Sequence, residues 1–231
     1  MNYENKNVIV AGASGAIGSE LVNSLTDLGA DVLTISSRKG ADIQVDLSNQ
    51  YSIEGLNLKI SATFIPDIVI CCNGLLHDDG HMPEKQLSEI DEEWFLRSTK
   101  VNVLSHVNLA KATEPLLSKA HSLKWISLSA MVGSITDNYL GGWYTYRMTK
   151  AALNMFIKGL SIEWKRKFPL SAVIAIHPGT TKSPMSAPFS VKKDKLYSTE
   201  MTSERILTVT DSLNIEDTGS FFNWNGEKLE W

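Results

Sequence analysis

Short apolar runs rich in β-branched residues alternate along the chain with longer segments whose apolar residues recur every three or four positions. The first run, Lys6–Ala11, is apolar almost throughout, which is typical of a strand buried on both faces. Apolar residues then recur at helical spacing from Ile17 to Leu28, and Gly29 provides a stop signal. Strands that alternate with helices in this way predict an α/β fold with a parallel sheet.

The alternation continues to the end of the chain. Further strands are predicted at Asp31–Ser36, Ile43–Val45, Pro66–Cys72, Leu123–Ser129, Ser171–Ile176 and Gly219–Phe222. Helices are predicted at Asp91–Leu117, from Trp143 to the basic Lys165–Lys167 segment, and near Thr202–Leu213. With 231 residues and no repeat or linker, we expect one domain spanning residues 1–231. Its predicted fold is a doubly wound parallel sheet of about seven strands with helices on both faces.

Charge and composition exclude several classes of partner. A net charge of -4 and a pI near 5.8 argue against nucleic-acid binding, which needs clustered lysine and arginine. No apolar run approaches the length of a membrane span, and the first seven residues are polar. Cys71 and Cys72 are neighbours in an apolar run, which favours packing over a disulfide. We therefore expect a cytoplasmic protein that binds neither nucleic acid nor membrane.

The turn after the first strand is rich in glycine. Gly12, Gly15 and Gly18 allow a tight turn and a close approach to a pyrophosphate, and the next helix offers unpaired N–H groups. This sequence predicts a Rossmann-type dinucleotide site. The spacing differs from the common GxGxxG, so a glycine turn that binds nothing remains the alternative.

The residue at the end of the second predicted strand bears on the choice between NAD and NADP. An acidic residue about twenty positions after the glycines would hold the ribose hydroxyl of NAD, but Arg38 occupies this place. An arginine would bind a 2'-phosphate, so NADP is favoured over NAD, unless Arg38 is a solvent-facing loop residue. Asp46, after the third strand, would accept from the adenine amino group or cap the next helix together with Ser48.

Ligands in open parallel sheets lie beyond the carboxyl ends of the strands, where Asn73 and Gly74 are predicted to be. The polar, proline-containing residues 182–201, the lid segment, are predicted to form a mobile substrate lid. The loop Leu76–His81 has a metal-like composition but no further ligand cluster, so no metal site is predicted. His177, beside a proline, is interpreted as structural.

Tyr146 and Lys150 lie four positions apart in a predicted helix and therefore share one face. A positive charge beside a phenol lowers its pKa, which would suit proton transfer near neutral pH. The alternative for such a pair is a surface contact without chemistry.

These residues together resemble the short-chain dehydrogenase/reductase family over nearly the whole chain, and in particular its C-factor-like and sniffer-like carbonyl reductases. The matching motifs are Ala11–Gly18, with alanine in place of the usual threonine, Asp46, a shortened Cys72-Asn73-Gly74, Asn102, Ser129, Tyr146, Lys150, and Pro178-Gly179 with Thr181 and Ser183.

The resemblance implies an NADP-dependent carbonyl reductase or alcohol dehydrogenase that is a homodimer or homotetramer. Tyr146 would donate the proton, Ser129 would hydrogen-bond the substrate oxygen, Lys150 would lower the tyrosine pKa and hold the ribose, and Asn102 would position a water. The implied cofactor residues are Gly12, Ser14, Ala16, Ile17, Gly18, Arg38, Asp46, Leu47, Asn73, Gly74, Tyr146, Lys150, Pro178, Gly179, Thr181 and Ser183.

One departure from the family pattern concerns the serine. Ser129 lies one place further from Gly133 than in most relatives, so Ser127 is an alternative, and a bulge at Ala130 would restore the geometry. A second function therefore stays open, a dinucleotide-binding regulatory protein with little or no turnover. Apolar pocket candidates indicate a small hydrophobic carbonyl or alcohol substrate. They are Leu75, Leu76, Val132, Tyr139, Trp143 and Met185.

Overall fold

A central sheet of eight strands organises the computed structural model, which describes residues 1–231. The strands of this sheet are β1 (Asn7–Ala11), β2 (Asp31–Ser36), β3 (Ile43–Gln44), β4 (Ile68–Cys71), β5 (Lys124–Leu128), β6 (Ala172–His177), β9 (Phe221–Asn223) and β10 (Lys228–Leu229). Two further strands, β7 (Thr180–Thr181) and β8 (Leu196–Tyr197), form a small sheet of their own.

The strand order is β10-β9-β6-β5-β4-β1-β2-β3, and every pair is parallel except β9 with β10. The order changes direction between β1 and β4, which opens a crevice at their carboxyl ends. This arrangement confirms the single-domain, doubly wound α/β fold predicted from the sequence. The sequence-based count of about seven strands missed β10, a two-residue strand too short to show a periodic pattern.

Helices cover both faces of the sheet. They are α1 (Ala16–Asp27), α2 (Leu56–Ser61), α3 (Glu92–Thr99), α4 (Ser105–Thr113), α5 (Tyr144–Lys167) and α6 (Thr199–Ser212). Alternate residues of β1 point to opposite faces: Ile9 joins a core that includes Leu109 of α4 and Leu153 of α5, whereas Val8 joins a core that includes Leu21 of α1. No helix is long and apolar enough to cross a membrane.

The helix predicted at Asp91–Leu117 is not continuous. A π-helical segment, Lys100–Leu104, joins α3 to α4, and a 3₁₀ turn at Glu114–Leu116 ends the helical region. Asp91 begins the region by accepting a hydrogen bond from the Trp94 N–H. Single-turn π segments occur often at functional sites, and this one contains Asn102.

The lid segment, residues 182–201, is ordered at both ends by regular structure. Its first residue follows β7, and β8 and the first turn of α6 lie at its far end. Ser198 caps α6 by accepting a hydrogen bond from the Met201 N–H. The segment predicted from the sequence thus extends into a helix, while residues from its central part line the cavity at the carboxyl edge of the main sheet.

Candidate active site

The carboxyl ends of β1, β4, β5 and β6 are neighbours in the sheet and therefore bring distant parts of the sequence together. Gly12 follows β1, Cys72 and Asn73 follow β4, and Ser129 follows β5. An ideal Cβ on Gly12 would lie 3.1 Å from the Asn73 nitrogen, so the loops after β1 and β4 are in close contact. The residues that the sequence places at strand ends thus meet at one edge of the sheet.

The glycine turn is built for close backbone contact. Gly12 has a φ of +75°, in the left-handed region that favours glycine. A Cβ on Gly18 would overlap the Gly12 carbonyl oxygen, so any side chain there would displace the turn. Helix α1, which contains Ala16, Ile17 and Gly18, has no side chain capping its N-terminus. Its free N–H groups and positive dipole end suit a phosphate.

Arg38 lies at the outer end of the same crevice. Its side chain is exposed and makes no ion pair, whereas its N–H donates to Ser36 Oγ at 3.1 Å. Ser36 Oγ in turn hydrogen-bonds Ser14 Oγ at 2.7 Å, which ties the glycine turn to the end of β2. The guanidinium is therefore free to bind a phosphate group beside the turn.

Asp46 does not cap a helix, contrary to one of the two sequence-based alternatives. Its Oδ1 accepts from the N–H and Oγ of Ser48 at 2.9 and 2.7 Å, which closes a local turn, and the next helix begins only at Leu56. Leu47 is buried, and its carbonyl accepts from Asn108 Nδ2 at 2.8 Å. The exposed Asp46 carboxylate keeps its other oxygen for a ligand.

Asn102 clamps the loop after β4. Its Oδ1 accepts from the Leu75 N–H at 2.6 Å, and its Nδ2 donates to the Leu75 carbonyl at 2.8 Å and to Thr149 Oγ1 at 2.9 Å. The side chain is fully buried. These three bonds use both protons of Nδ2 and one of the two lone pairs of Oδ1, so the side chain has one lone pair left to hold the water assigned to it from the sequence.

Lys150 lies directly behind Tyr146 on α5. Its Nζ donates to the Leu128 carbonyl at 2.9 Å and lies 5.8 Å from the centre of the Tyr146 ring. A Cβ on Gly74 would be 3.6 Å from this Nζ, and a Cβ on Gly133 would be 2.8 Å from the Lys150 main chain. Glycines at these two positions therefore let the strand-end loops pack directly against the lysine.

Burial shifts the pKa values of both residues of this pair. Burial raises the pKa of the Tyr146 phenol above its ordinary value, and it lowers the pKa of Lys150 to about 8. Burial acts against the lowering of the tyrosine pKa that the sequence led us to expect from Lys150, and that effect of Lys150 stays a prediction. Desolvation disfavours the charged form of each residue. Tyr146 thus keeps its proton at neutral pH.

The structure separates the two candidate serines. Ser127 is fully buried, accepts from Trp125 Nε1 at 3.0 Å and bonds His106 Nδ1 at 3.0 Å, so it belongs to the core. Ser129 borders the same cavity as Tyr146. Ala130 is extended and lies beyond the end of β5, and a 3₁₀ turn at Met131–Gly133 follows it.

A cavity of about 340 Å³ lies beside Tyr146. The lid segment forms one wall, where Phe189 packs on the Trp143 ring at 5.0 Å and on His77 at 5.7 Å. His77 Nε2 also bonds the Met185 carbonyl at 3.1 Å. The lining residues are Ile17, Leu76, Ser129, Ala130, Met131, Val132, Trp143, Tyr146, His177, Pro178, Gly179, Thr180, Thr181, Ser183, Met185, Ser186, Phe189 and Val191.

Two of the six predicted pocket residues do not line this cavity. Tyr139 is 85% exposed and lies with Asp137 beside the carboxyl-terminal strand, because its loop folds away from the sheet edge. Leu75 is held away by its two hydrogen bonds to Asn102. His177, interpreted from the sequence as structural, does border the cavity, and burial lowers its pKa to about 4.

The loop after β6 carries the remaining predicted cofactor residues. Pro178, Gly179, Thr181 and Ser183 all line the cavity. Gly179 has a φ of +79°, and a Cβ there would lie 3.1 Å from the Tyr197 ring, so both conformation and space require glycine. Thr181 Oγ1 bonds Thr202 Oγ1 at 2.9 Å, which fixes this loop to α6.

A family model described as "short chain dehydrogenase" matches residues 6–194. The chain belongs to the short-chain dehydrogenase family. This confirms the resemblance seen in the sequence and makes the chain a member of an oxidoreductase family. The match includes the glycine turn, both candidate serines, the tyrosine–lysine pair and most of the lid segment.

The relatives of this chain include a dehydrogenase and C-signal. The 1-hydroxy-2-glutathionyl-2-methyl-3-butene dehydrogenase of Rhodococcus sp. (strain AD45) is 27% identical over 97% of this chain and 99% of its own. C-signal of Myxococcus xanthus is 28% identical over 63% of this chain and 83% of its own.

Solved structures share the fold. The NADPH-bound carbonyl reductase from chicken fatty liver matches with a TM-score of 0.84 and 20% identity, covering 99% of this chain and 95% of that one. The carbonyl reductase Sniffer of D. melanogaster also matches with a TM-score of 0.84 and 21% identity, covering 99% of this chain and 100% of that one.

Sequence reasoning missed three residues that shape the site of this short-chain dehydrogenase. Asn154 accepts a hydrogen bond from Ser129 Oγ at 2.6 Å. Glu84 is buried, and its Oε2 accepts from the Thr145 N–H at 3.2 Å in the first turn of α5. Phe189 forms part of the cavity wall. Helical spacing could have identified Asn154, which lies one turn beyond Lys150, but no local signal marks the other two.

Proposed function

We propose that this protein is an NADP-dependent oxidoreductase that transfers hydride between the nicotinamide and a small hydrophobic carbonyl or alcohol. The observation that carries this proposal is a single cavity bordered by Tyr146 and Ser129, with the buried Lys150 amine behind it and the glycine turn beside it. A site that only bound a dinucleotide would need neither a protonated phenol nor a hydroxyl facing a second ligand.

The residues at the sheet edge fit NADP. The uncapped N-terminus of α1 would hold the pyrophosphate, the free guanidinium of Arg38 would hold the 2'-phosphate, and Asp46 would face the adenine. Asn73 and Gly74 would line the path of the dinucleotide, and Lys150 would reach its nicotinamide ribose. Family relatives with bound NADP support this choice.

Bound NADPH would supply the hydride. Tyr146, which burial keeps protonated, would donate its proton to the oxygen of the substrate carbonyl as negative charge develops there. Ser129 would hydrogen-bond the same oxygen. Lys150, held by the Leu128 carbonyl, would stabilise the phenolate left on Tyr146 through its positive charge. Asn102 would act as a positioning residue that fixes the loop after β4 and, through Thr149, helix α5.

The cavity favours an uncharged substrate. None of its 18 lining residues is a lysine, arginine, aspartate or glutamate, and ten are hydrophobic. Burying an unpaired charge here would be unfavourable, whereas an aliphatic or aromatic ketone or aldehyde would pack against Trp143, Met185 and Phe189. We infer that the lid segment opens to admit the substrate. The hydrogen bond between His77 and the Met185 carbonyl would hold the segment in its closed position.

A regulatory function without efficient turnover is the second candidate. The similarity to C-signal is the observation that favours it. The two functions differ in whether bound NADPH is then oxidised. The test is to titrate the protein with NADPH and then measure NADPH oxidation with a panel of aldehydes, ketones and quinones. Oxidation that depends on a panel compound supports the enzyme, and saturable binding without oxidation by any compound supports the regulator.

We also propose that the protein forms a homodimer or homotetramer through α5. One face of this helix presents Met148, Ala152, Met155, Gly159 and Ile162 to solvent, at spacings that place them in a single stripe. Leu96 and Leu104 are exposed on the neighbouring helical region. A contiguous apolar face of this kind fits an identical helix pair from a second copy.

A further inference from the structure

The hydrogen bond from Ser129 to Asn154 uses the single proton of the serine hydroxyl. Ser129 Oγ donates to Asn154 Oδ1 at 2.6 Å, and both side chains are buried, with 4% and 3% of their surface exposed. Asn154 Nδ2 is buried as well and has no hydrogen-bond partner. The serine therefore has no proton left for the cavity, while two amide protons are unused.

This arrangement does not suit a bound carbonyl compound. A carbonyl oxygen accepts hydrogen bonds and cannot donate them. With its proton directed to Asn154, Ser129 can offer the substrate only lone pairs, and the two oxygens would repel each other. In the proposed reaction both Tyr146 and Ser129 donate a hydrogen bond to the substrate oxygen. With the serine proton directed to Asn154, only Tyr146 could do so.

We propose that Asn154 is a positioning residue whose amide makes a half rotation when a carbonyl compound binds, so that Nδ2 donates to Ser129 Oγ and the serine proton turns to the substrate oxygen. This inference rests on the proposed function. The oxygen and nitrogen of an amide have nearly the same size, so the exchange needs no movement of helix α5. The resulting chain of donors, from amide to hydroxyl to carbonyl, strengthens each bond in it.

The position of Asn154 fits this role. It lies on α5 one turn beyond Lys150 and two turns beyond Tyr146, and thus on the same face as both. Gly133, in the 3₁₀ turn that follows Ser129, packs against α5 at Lys150. The three polar residues on this face would act in consecutive layers on the substrate oxygen: Tyr146 directly, Lys150 through Tyr146, and Asn154 through Ser129.

A substitution that keeps the acceptor and removes the donor tests the proposal. In Asn154→Asp, an ionised carboxylate can only accept, so it holds the serine proton, and kcat should fall about 100-fold at alkaline pH, as it should in Ser129→Ala. Burial raises the pKa of the new carboxyl, and its protonated form can donate. We therefore expect kcat of Asn154→Asp to recover as pH falls, while KM for NADPH stays unchanged. Asn154→Ala has no titratable group at this position, so its kcat should show no such recovery.

Combining the two substitutions separates this role from a purely structural one. In a Ser129→Ala background, Asn154→Asp should reduce kcat no further, because the donor it removes acts only through the serine. Thermal melting of each variant reports any structural damage. If Asn154→Asp keeps the wild-type kcat and pH profile, or if the two losses multiply in the double variant, the proposal is wrong.

A second measurement does not depend on turnover. The protein is crystallised with NADPH and N,N-dimethylacetamide, a carbonyl compound that NADPH does not reduce and that has no hydrogen-bond donor. Neutron diffraction from these crystals would show the amide deuterons of Asn154. The proposal expects the Nδ2 deuterons of Asn154 to face Ser129 Oγ, and Oδ1 in that place would overturn it. Absence of turnover in the wild type would refute the proposed enzymatic function but leave this result decisive for Asn154.

Discussion

At the level of single residues, Lys150 carries a positive charge in a place with almost no access to water. Its only polar contact is the Leu128 carbonyl, and only 3% of its surface is exposed. Its spacing from Tyr146 could be read from the sequence, because four positions in a helix always share a face. The pKa shifts of both residues could not, since they depend on burial by loops from β4, β5 and β6.

Replacing Lys150 with methionine should make the free energy of unfolding of the cofactor-free protein vary less with pH in the alkaline range. The pKa of Lys150 is lowered from 10.5 to about 8, so between these values the unfolded chain binds more protons than the folded one. Raising the pH through this window therefore stabilises the wild type, and below it the full cost of burial is present. Urea unfolding gives the free energy of unfolding of the wild type and of Lys150→Met. The difference between the two values should change by about 3 kcal/mol from one end of this pH window to the other.

The exposed guanidinium of Arg38 should determine the choice of cofactor. We expect Arg38→Leu to weaken NADPH binding about tenfold or more, because a charge-assisted bond to the 2'-phosphate is lost, and to leave NADH binding nearly unchanged. Lys39→Leu, at the next position, is the matched control. Fluorescence titration with both cofactors measures the effect, and an equal loss for NADH and NADPH would show that Arg38 does not contact the phosphate.

At the level of elements, the π segment Lys100–Leu104 is the feature that connects the helices to the strand-end loops. The sequence predicted one long helix here, in which an asparagine needs a hydrogen-bond partner. It could not supply that partner, because Leu75 and Thr149 lie far away in the chain and meet Asn102 only in the folded sheet. The turn at Gly12, by contrast, follows from the local sequence alone.

Asn102→Ala should destabilise the protein by about 2–4 kcal/mol, because it leaves the Leu75 N–H and carbonyl without their partners. It should also lower kcat, since the loop that carries Gly74 and packs on Lys150 loses its fixing point. The control is Thr113→Val, a buried hydroxyl on the same helical region that bonds only Leu109 within its own helix. Chemical denaturation gives the comparison, and equal effects of both substitutions would contradict the role assigned to Asn102.

At the level of the whole molecule, the strand order makes the site. The glycine turn, Asn73, Ser129 and His177 are separated by many residues, yet each lies at the carboxyl end of one of four adjacent strands. The alternation of strands and helices predicted the sheet and the edge at which ligands lie. It did not predict the path of loops without periodicity, which is why Tyr139 was placed wrongly and Glu84 and Phe189 were missed.

The apolar face of α5 should hold two copies together. Met155, 72% exposed, lies at its centre, and Met155→Lys would place a charge opposite an apolar partner. We expect this variant to sediment as a smaller species than the wild type. Leu58→Lys, at an equally apolar and 68% exposed position on α2, is the control and should keep the wild-type state. A wild type that is monomeric at all concentrations would contradict the proposed assembly.

The central claim is that Tyr146 is the proton donor of a carbonyl-reducing site, and one comparison tests it most directly. The rate of NADPH oxidation with the best panel substrate is measured for the wild type and Tyr146→Phe, together with NADPH affinity for both. The account predicts that kcat falls about 1,000-fold because the proton donor is lost, while the affinity for NADPH changes little. A Tyr146→Phe protein that keeps most of its activity would contradict the account.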